Sequence, residues 1–521
     1  MDPGVAERGG QVARDTLAGG SAALGLIVLA KLVVQALALP RYGYFRDELY
    51  YLACADHLAW GYVDHPPLSI AILWLQRALF GDSLFALRAL PALAGCLTIL
   101  LTARLARDLG GGRFAQTLAA LAALVSPIYL GIDHYFSMNA FDLALWPLAA
   151  WLLLRALATG RTAFWAALGL VLGAGLLNKM SVLWLGAGIA LGLLATPHRR
   201  VLAMKGPWIA AALAGALYLP HLVWQARHAW PTLEFMRNAT SLKMVDVSLA
   251  GFVKGQILAM NPVTAPIWVA GLVWLFASRA GRPWRILGWI FLAVAAILVL
   301  AGRSRASYLA PAYPMVLAAG AVALEGLPAA AGRSWIRAAA AAVLVIAGMA
   351  LAPFGLPLLP VETYLRYARA LGAAPSTEEH LRLGELPQHY ADMFGWEEMA
   401  AVVARAYAGL SPRERDGCGI FAQNYGEAGA IDFFGRRYGL PRALSGHNSY
   451  WMWGPGERPV DVVIVVGGDL EDNRQAFETL EQAGTIRCDL CMPYERDLPV
   501  YIGRAPKAPL ARLWPRLKKY V

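Results

Sequence analysis

Charge is scarce in this chain. Of its 521 residues only 16% are Asp, Glu, Lys or Arg, while 58% are hydrophobic. A soluble globular chain carries about 25% charged and about 45–50% apolar residues. The shortage excludes a disordered protein, a fibrous protein and an ordinary cytosolic enzyme. With a mean hydropathy of +0.48 it points to a polytopic membrane protein. Cysteine is scarce as well, five residues in all, and Cys488 and Cys491 stand together as CDLC. No second Cys or His pair stands at a spacing suited to zinc, which leaves a disulfide in an oxidising compartment or free thiols. The first apolar segment lacks an A-x-A type cleavage site and reads as a retained anchor. Internal repeats, low-complexity linkers and nucleic-acid recognition motifs are all missing, so the net charge of +11 calls for a reading other than nucleic-acid binding.

That reading is topology. A spanning helix needs about 20 mostly apolar residues. Eleven candidates are expected, at about 21–39, 84–103, 115–132, 140–157, 163–178, 180–196, 207–225, 258–277, 286–301, 309–325 and 336–353. Their connections alternate in charge. One side holds Arg8, Arg14, Arg104, Arg107, Arg113, Arg155, Arg161, Arg199, Arg200, Lys205, Arg279, Arg282, Arg285, Arg333 and Arg337 against only Asp2, Glu7, Asp15, Asp108 and Glu325. The other side is nearly balanced, and Lys31 lies within the first helix. The positive-inside rule makes the first side cytoplasmic. The expected organisation is a cytoplasmic N-terminus (1–20), a membrane domain (21–353) with outer loops 40–83 and 226–257, and a C-terminal periplasmic or extracytoplasmic domain (354–521). Within loop 40–83, Asp47–Ala59 and Pro67–Phe80 read as short amphipathic helices, of the type that lies in the bilayer interface. In the last domain, 418–425 and 460–468 read as buried strands and 426–438 and 470–484 as helices, with 362–416 mixed and mainly helical. The alternation suggests a small α/β fold.

Four polar clusters carry candidate chemistry. Arg46-Asp47-Glu48 follows the first membrane helix, and adjacent carboxylates at a membrane surface are costly without a role. The same pair also suits a helix N-terminus. Asp64-His65-Pro66-Pro67 reads as a turn entering a helix, with His65 able to meet a phosphate or a hydroxyl. Asp133, His134 and Asp142 stand at the outer end between the third and fourth helices. Asp142 lies in an apolar run, which marks it as a functional candidate, and the three could hold a divalent cation. Lys179, Arg237, Lys243, Arg303 and Arg305 sit at the membrane–outside boundary, where cations bind headgroup-level phosphates or anchor the chain. In the last domain Tyr425, Glu427, His447, Asn448, Tyr450, Trp451 and Trp453 combine flat apolar faces with polar edges, as a sugar site does, and would equally suit an interface.

Taken in order, Asp47-Glu48, the Asp64-His65-Pro66-Pro67 turn, Asn139–Asp142, the Glu234…Arg237 loop and Ser304-Arg305 followed by Tyr308–Pro314 resemble the GT-C membrane glycosyltransferases. The resemblance is to the protein O-mannosyltransferase, aminoarabinose transferase and RgtA/B/C/D-like group, over roughly residues 20–325. It implies a multi-pass protein of the bacterial inner membrane and a polyprenyl-phosphate-linked sugar as donor. The acceptor would be a lipid, glycan or protein hydroxyl, and direct displacement would invert the anomeric centre. Asp47, with Glu48 beside it, takes the role of base; Lys179, Arg237, Arg303, Arg305 and His65 take the donor phosphate. At the turn the aminoarabinose enzymes carry lysine where this chain has His65, which is only partly charged near pH 7. No cofactor follows from the resemblance, and metal dependence stays open. Two other readings compete: a transporter or flippase of lipid-linked glycans, and a non-catalytic envelope sensor or scaffold. A transporter is expected to show repeated halves and midplane charges, whereas these polar residues gather at the outer surface.

Overall fold

The computed structural model describes residues 22–327, 333–375, 377, 379–457 and 459–521; the expected cytoplasmic N-terminus, 1–20, lies outside them. The chain divides into two compact units. Of the described residues, the first comprises those within 22–40, 88–219 and 246–358, and the second those within 41–87, 220–245 and 359–521.

The first unit is helical. Among the described residues six helices are long and apolar enough to cross a bilayer: Leu84–Asp108, Met138–Thr159, Lys205–Arg227, Arg282–Ala301, Ala306–Glu325 and Ser334–Gly355. A seventh apolar stretch is broken. Where one span is expected over 258–277, the helices Leu249–Ala259 and Pro262–Ala277 meet at 96°. Asn261 takes a positive φ of 73° and Pro262 has no N–H to continue a helix. The Asn261 amide donates to the Val125 carbonyl at 3.0 Å, which satisfies a backbone group at the corner. Similarly, the stretch expected over 115–132 stops at Leu124 and restarts at Pro127. Shorter apolar helices run over Ala22–Ala38, Arg113–Leu124, Thr162–Asn178 and Val182–Leu194.

Small residues let these helices close. A Cβ on Gly320 would collide with the Ile267 carbonyl, and one on Gly271 with the Val316 carbonyl. The helices Ala265–Ala277 and Tyr313–Glu325 therefore touch backbone to backbone, as membrane helices do where small residues face each other. Lys31, isolated in its apolar helix, is paired: its Nζ lies 2.6 Å from Asp133 Oδ2.

The second unit is an α/β body. Five strands, β1 (Cys418–Ala422), β2 (Ala443–Leu444), β3 (Val462–Val466), β4 (Phe477–Ile486) and β5 (Leu498–Pro506), form a sheet in the order β2-β1-β3-β5-β4. β1 is parallel to β2 and β3; β5 is antiparallel to β3 and β4. The run VVIVV of β3 is buried at every position, as a central strand covered on two faces must be. Helices Val361–Ala370, Trp396–Ala408 and Tyr425–Phe434 accompany the sheet. The helix expected over 470–484 is a correction: it ends at Ala476, and the next ten residues are strand β4. The loop helices Arg46–Ala55 and Leu68–Phe80 belong to this unit, as does Pro231–Asn238.

Candidate active site

In the second unit the loop helix Arg46–Ala55 places the two acids differently. Glu48 is fully buried, and its Oε2 accepts the Phe45 N–H at 2.9 Å. An acid three residues into a helix reaches back to its start in this way. The expected pair of catalytic acids thus separates into a cap, Glu48, and an accessible carboxylate, Asp47, whose side chain is 36% exposed. Asp47 Oδ1 accepts the Tyr425 hydroxyl at 2.9 Å and lies 3.6 Å from Arg46 Nε. Arg46 is held in turn: its Nη1 donates to Tyr494 Oη at 3.0 Å, stands 3.7 Å from Asp392 Oδ2, and its guanidinium covers the Tyr425 ring at 5.3 Å. Burial raises Asp392 to about 6 although Arg46 pulls it back.

The Asp64 turn forms the second acid centre of this unit. Tyr50 Oη donates to Asp64 Oδ1 at 2.8 Å, and burial raises the Asp64 carboxyl above its usual range. His65 is 1% exposed, stacked on Tyr51 at 4.8 Å, with Nδ1 3.0 Å from the Pro66 carbonyl. His65, expected at the donor phosphate, is walled in by tyrosines and stands 4.0 Å from Asp64. Arg237 lies exposed in the last turn of Pro231–Asn238.

A cavity of about 460 Å³ opens beside Arg46 and Tyr425, lined also by Lys243, Glu379, Asn424, Glu427, His447, Tyr494, Lys519 and Val521. Lys243 pairs with Glu379 at 3.5 Å. Asn424 caps the helix Tyr425–Phe434, its Oδ1 accepting the N–H groups of Gly426 and Glu427. Its amide donates to Glu427 Oε1 at 2.6 Å and to Glu495 Oε1 at 3.1 Å. Burial first, and each other's charge next, push Glu427 well above the carboxylate range; burial brings Glu495 to about 7. Two buried carboxyls so close cannot both ionise readily. Burial lowers His447 to about 3, which keeps its ring neutral.

Of the expected sugar-binding residues, Tyr425, Glu427 and His447 line the cavity. The other four make contacts within the unit. Asn448 Oδ1 accepts the Val521 N–H at 3.2 Å; Tyr450 donates to Asp432 at 2.7 Å. Trp451 exchanges indole-to-carbonyl bonds of 2.9 Å with Trp514. Trp453 stacks on His57 at 4.1 Å.

In the first unit, Asp142 accepts from Ser181 at 2.8 Å and from Trp146 at 3.0 Å, and Lys179 Nζ stands 3.7 Å away. Lys179 also faces the Tyr308 ring at 5.2 Å, and Arg305 lies within electrostatic reach of it. Arg303 is bound to Asp246 at 2.6 Å. The expectation that Asp133, His134 and Asp142 jointly hold a cation is corrected. Asp133 takes Lys31, His134 Nε2 meets Arg88 at 3.2 Å, and Asp142 takes Lys179. Among the described residues no three His, Cys, Asp or Glu side chains converge on a metal position.

Sequence reasoning missed Tyr50, Asp392, Glu379, Tyr494 and Glu495. Each is an ordinary residue of its local run, and only the long-range pairing gives it a partner.

With this geometry in place, the comparisons with known proteins can be read. A family model described as dolichyl-phosphate-mannose-protein mannosyltransferase matches residues 64–224. The chain is 25% identical over 270 residues to the lipid A galacturonosyltransferase RgtD of Rhizobium johnstonii, covering 49% of this chain and 55% of that protein. It is 28% identical over 173 residues to undecaprenyl phosphate-alpha-4-amino-4-deoxy-L-arabinose arabinosyl transferase 1 of Pseudomonas fluorescens, covering 31% and 32%. The matches thus span about half and about a third of these relatives. In fold the chain is similar to ArnT from Cupriavidus metallidurans, crystallised bound to undecaprenyl phosphate. The TM-score is 0.58 at 16% identity, over 92% of this chain and 97% of that one. The chain resembles the GT-C glycosyltransferases and has their fold, that of a polytopic helical membrane protein.

Proposed function

We propose that this protein is a glycosyltransferase of the bacterial inner membrane that moves a sugar from a polyprenyl-phosphate-linked donor to an acceptor hydroxyl on the outer face. The observation that carries the reading is Asp47: an accessible carboxylate held by Tyr425 and Arg46, two residues that also line the cavity, in a chain with a GT-C fold. Its fold relative is bound to undecaprenyl phosphate, and its matched curated relatives are a lipid A galacturonosyltransferase and an undecaprenyl-phosphate-sugar arabinosyl transferase.

The chemistry needs few groups. As the acceptor oxygen attacks the anomeric carbon, its proton passes to Asp47. The bond from that carbon to the phosphate oxygen breaks, and the lipid phosphate leaves already charged. One base and a set of cations suffice, and a single displacement inverts the anomeric centre. Lys179 and Arg305 are the proposed phosphate ligands, with Arg237 and Arg303 as further cations. The acceptor, a lipid, glycan or protein hydroxyl, would enter by the cavity of Tyr425, Glu427 and His447.

The membrane arrangement is part of the proposal. The six long helices, the bent pair and four of the shorter apolar helices together make eleven crossings. With the cation-rich connections inside, an odd number of crossings would leave 1–20 in the cytoplasm and 354–521 outside. The test is transfer by the full chain in liposomes from a panel of polyprenyl-phosphate sugars, read by mass spectrometry of envelope lipids and glycans. Transfer that is lost in Asp47→Asn supports the reading. Undiminished transfer by Asp47→Asn, or none from any donor, overturns it.

A further inference from the structure

The helix Tyr425–Phe434 meets the loop helix Arg46–Ala55 through glycines. A Cβ on Gly426 would run into Arg46 Cγ, and a Cβ on Gly429 would stand 2.8 Å from the Leu49 carbonyl carbon and 2.9 Å from its oxygen. The two backbones therefore lie closer than any larger residue permits. This approach delivers the Tyr425 hydroxyl to Asp47 at 2.9 Å. Tyr425 itself is immobilised on several sides. Asn424 caps its helix, its N–H faces His447 Nδ1 at 3.4 Å, Arg46 covers its ring, and the Tyr50 ring packs against it at 4.7 Å.

A parallel arrangement serves the second acid. Tyr50 has one hydroxyl proton. When it goes to Asp64 at 2.8 Å, Ser449 Oγ, also at 2.8 Å, must donate to Tyr50. Ser449 then accepts the Val63 N–H at 3.2 Å. Asp47 and Asp64 are thus each reached by a hydroxyl chain that starts some 380 residues later in sequence.

We propose that Tyr425 is a positioning residue for the Asp47 carboxylate, set in place by the close packing of Gly426 and Gly429 on the loop helix. The proposal rests on the assignment of Asp47 as base. It gives the C-terminal α/β region a part in the chemical step itself, beyond receiving an acceptor. A phenol that donates to a carboxylate fixes the direction of its remaining lone pairs. Arg46, Asp64 and Asp392 are the charged or titratable groups that also face Asp47, and Tyr425→Phe leaves all three in place.

The experiment compares the full-length parent, Tyr425→Phe, Gly429→Ala and Asp47→Asn in liposomes with the same donor and acceptor preparations. Tyr425→Phe is expected to lower kcat by about 10- to 100-fold, less than the roughly 10²–10⁴-fold that a general base itself supplies, with KM for each substrate within about twofold. Gly429→Ala, which keeps the phenol, moves kcat in the same direction. An unchanged kcat in Tyr425→Phe, or a change confined to KM, overturns the proposal. If Gly429→Ala fails to fold, Tyr425→Phe alone decides. An Asp47→Asn protein that transfers at the parental rate removes the base assignment and this proposal together. An inactive Asp47→Asn beside an unaffected Tyr425→Phe removes the proposal alone.

Discussion

Lys31 and Asp133 form an ion pair of 2.6 Å inside the first unit, with side chains 1% and 2% exposed. The Lys31 ammonium also donates to the Tyr129 carbonyl at 3.3 Å. Removing one partner strands a buried charge, which costs about 3–5 kcal/mol in such pairs. Lys31→Ala should therefore melt well below the parent in detergent, while Lys31→Met/Asp133→Leu recovers most of the loss. A Lys31→Ala protein with parental melting would show the pair to be dispensable.

Lys179 is the cation of the Asp142 group. If it receives the donor phosphate, Lys179→Met should lower kcat/KM for the donor by about 10²-fold or more, in line with loss of one electrostatic stabiliser of a developing anion. Arg303, engaged by the exposed Asp246 carboxylate, should matter less. Initial rates against donor concentration for Lys179→Met and Arg303→Met rank the two.

Glu495 sets a pH dependence of stability. Burial raises its folded pKa from the usual carboxylate range to about 7, so the folded state binds more protons than the unfolded chain between about 4.5 and about 7. Stability must fall as pH rises through that window, and the loss is complete above it. Glu495→Gln, neutral throughout, should flatten the dependence. Melting temperatures from pH 5 to 8 would show it, and an equally steep Glu495→Gln curve would locate the titration elsewhere.

The CDLC thiols are unequal. The Cys491 N–H donates to Cys488 Sγ at 3.2 Å. Hydrogen bonding from Cys491 lowers Cys488 to about 7, against burial, whereas burial lifts Cys418 to about 11. The thiolate is the reactive form. Under reducing purification, a maleimide at pH 7 should therefore label Cys488 before Cys418, with Cys488→Ser removing the fast phase.

How much of this was legible in the sequence varies with the range of the interactions. The buried run Val462–Val466 announced a central strand, and Pro67 announced the start of Leu68–Phe80, because these signals are local. The break at Asn261-Pro262 was readable in Pro262, yet the apolar run around it outweighed one residue. Asp47 and Asp64 stood out because acids at a membrane surface are costly. Their tyrosine and serine partners did not, since nothing near Tyr425 or Ser449 refers to a loop hundreds of residues away. Asn448, Tyr450, Trp451 and Trp453 looked like a sugar platform by composition. Their polar atoms are taken by Val521, Asp432 and Trp514, and the Trp453 ring by His57, facts of packing that composition does not carry.

Strand β4 was misread as helix because Glu478, Glu481 and Gln482 sit in a run of good helix formers. The same residues have a consequence for association. β4 closes one side of the sheet, Glu478, Glu481 and Gln482 are exposed along it, and its register shifts between Gln482 and Gly484. An open edge is a template for a second chain, and charges and bulges deter such pairing. Glu478, Glu481 and the register shift are features of that deterrent kind, set along the outermost strand of the sheet.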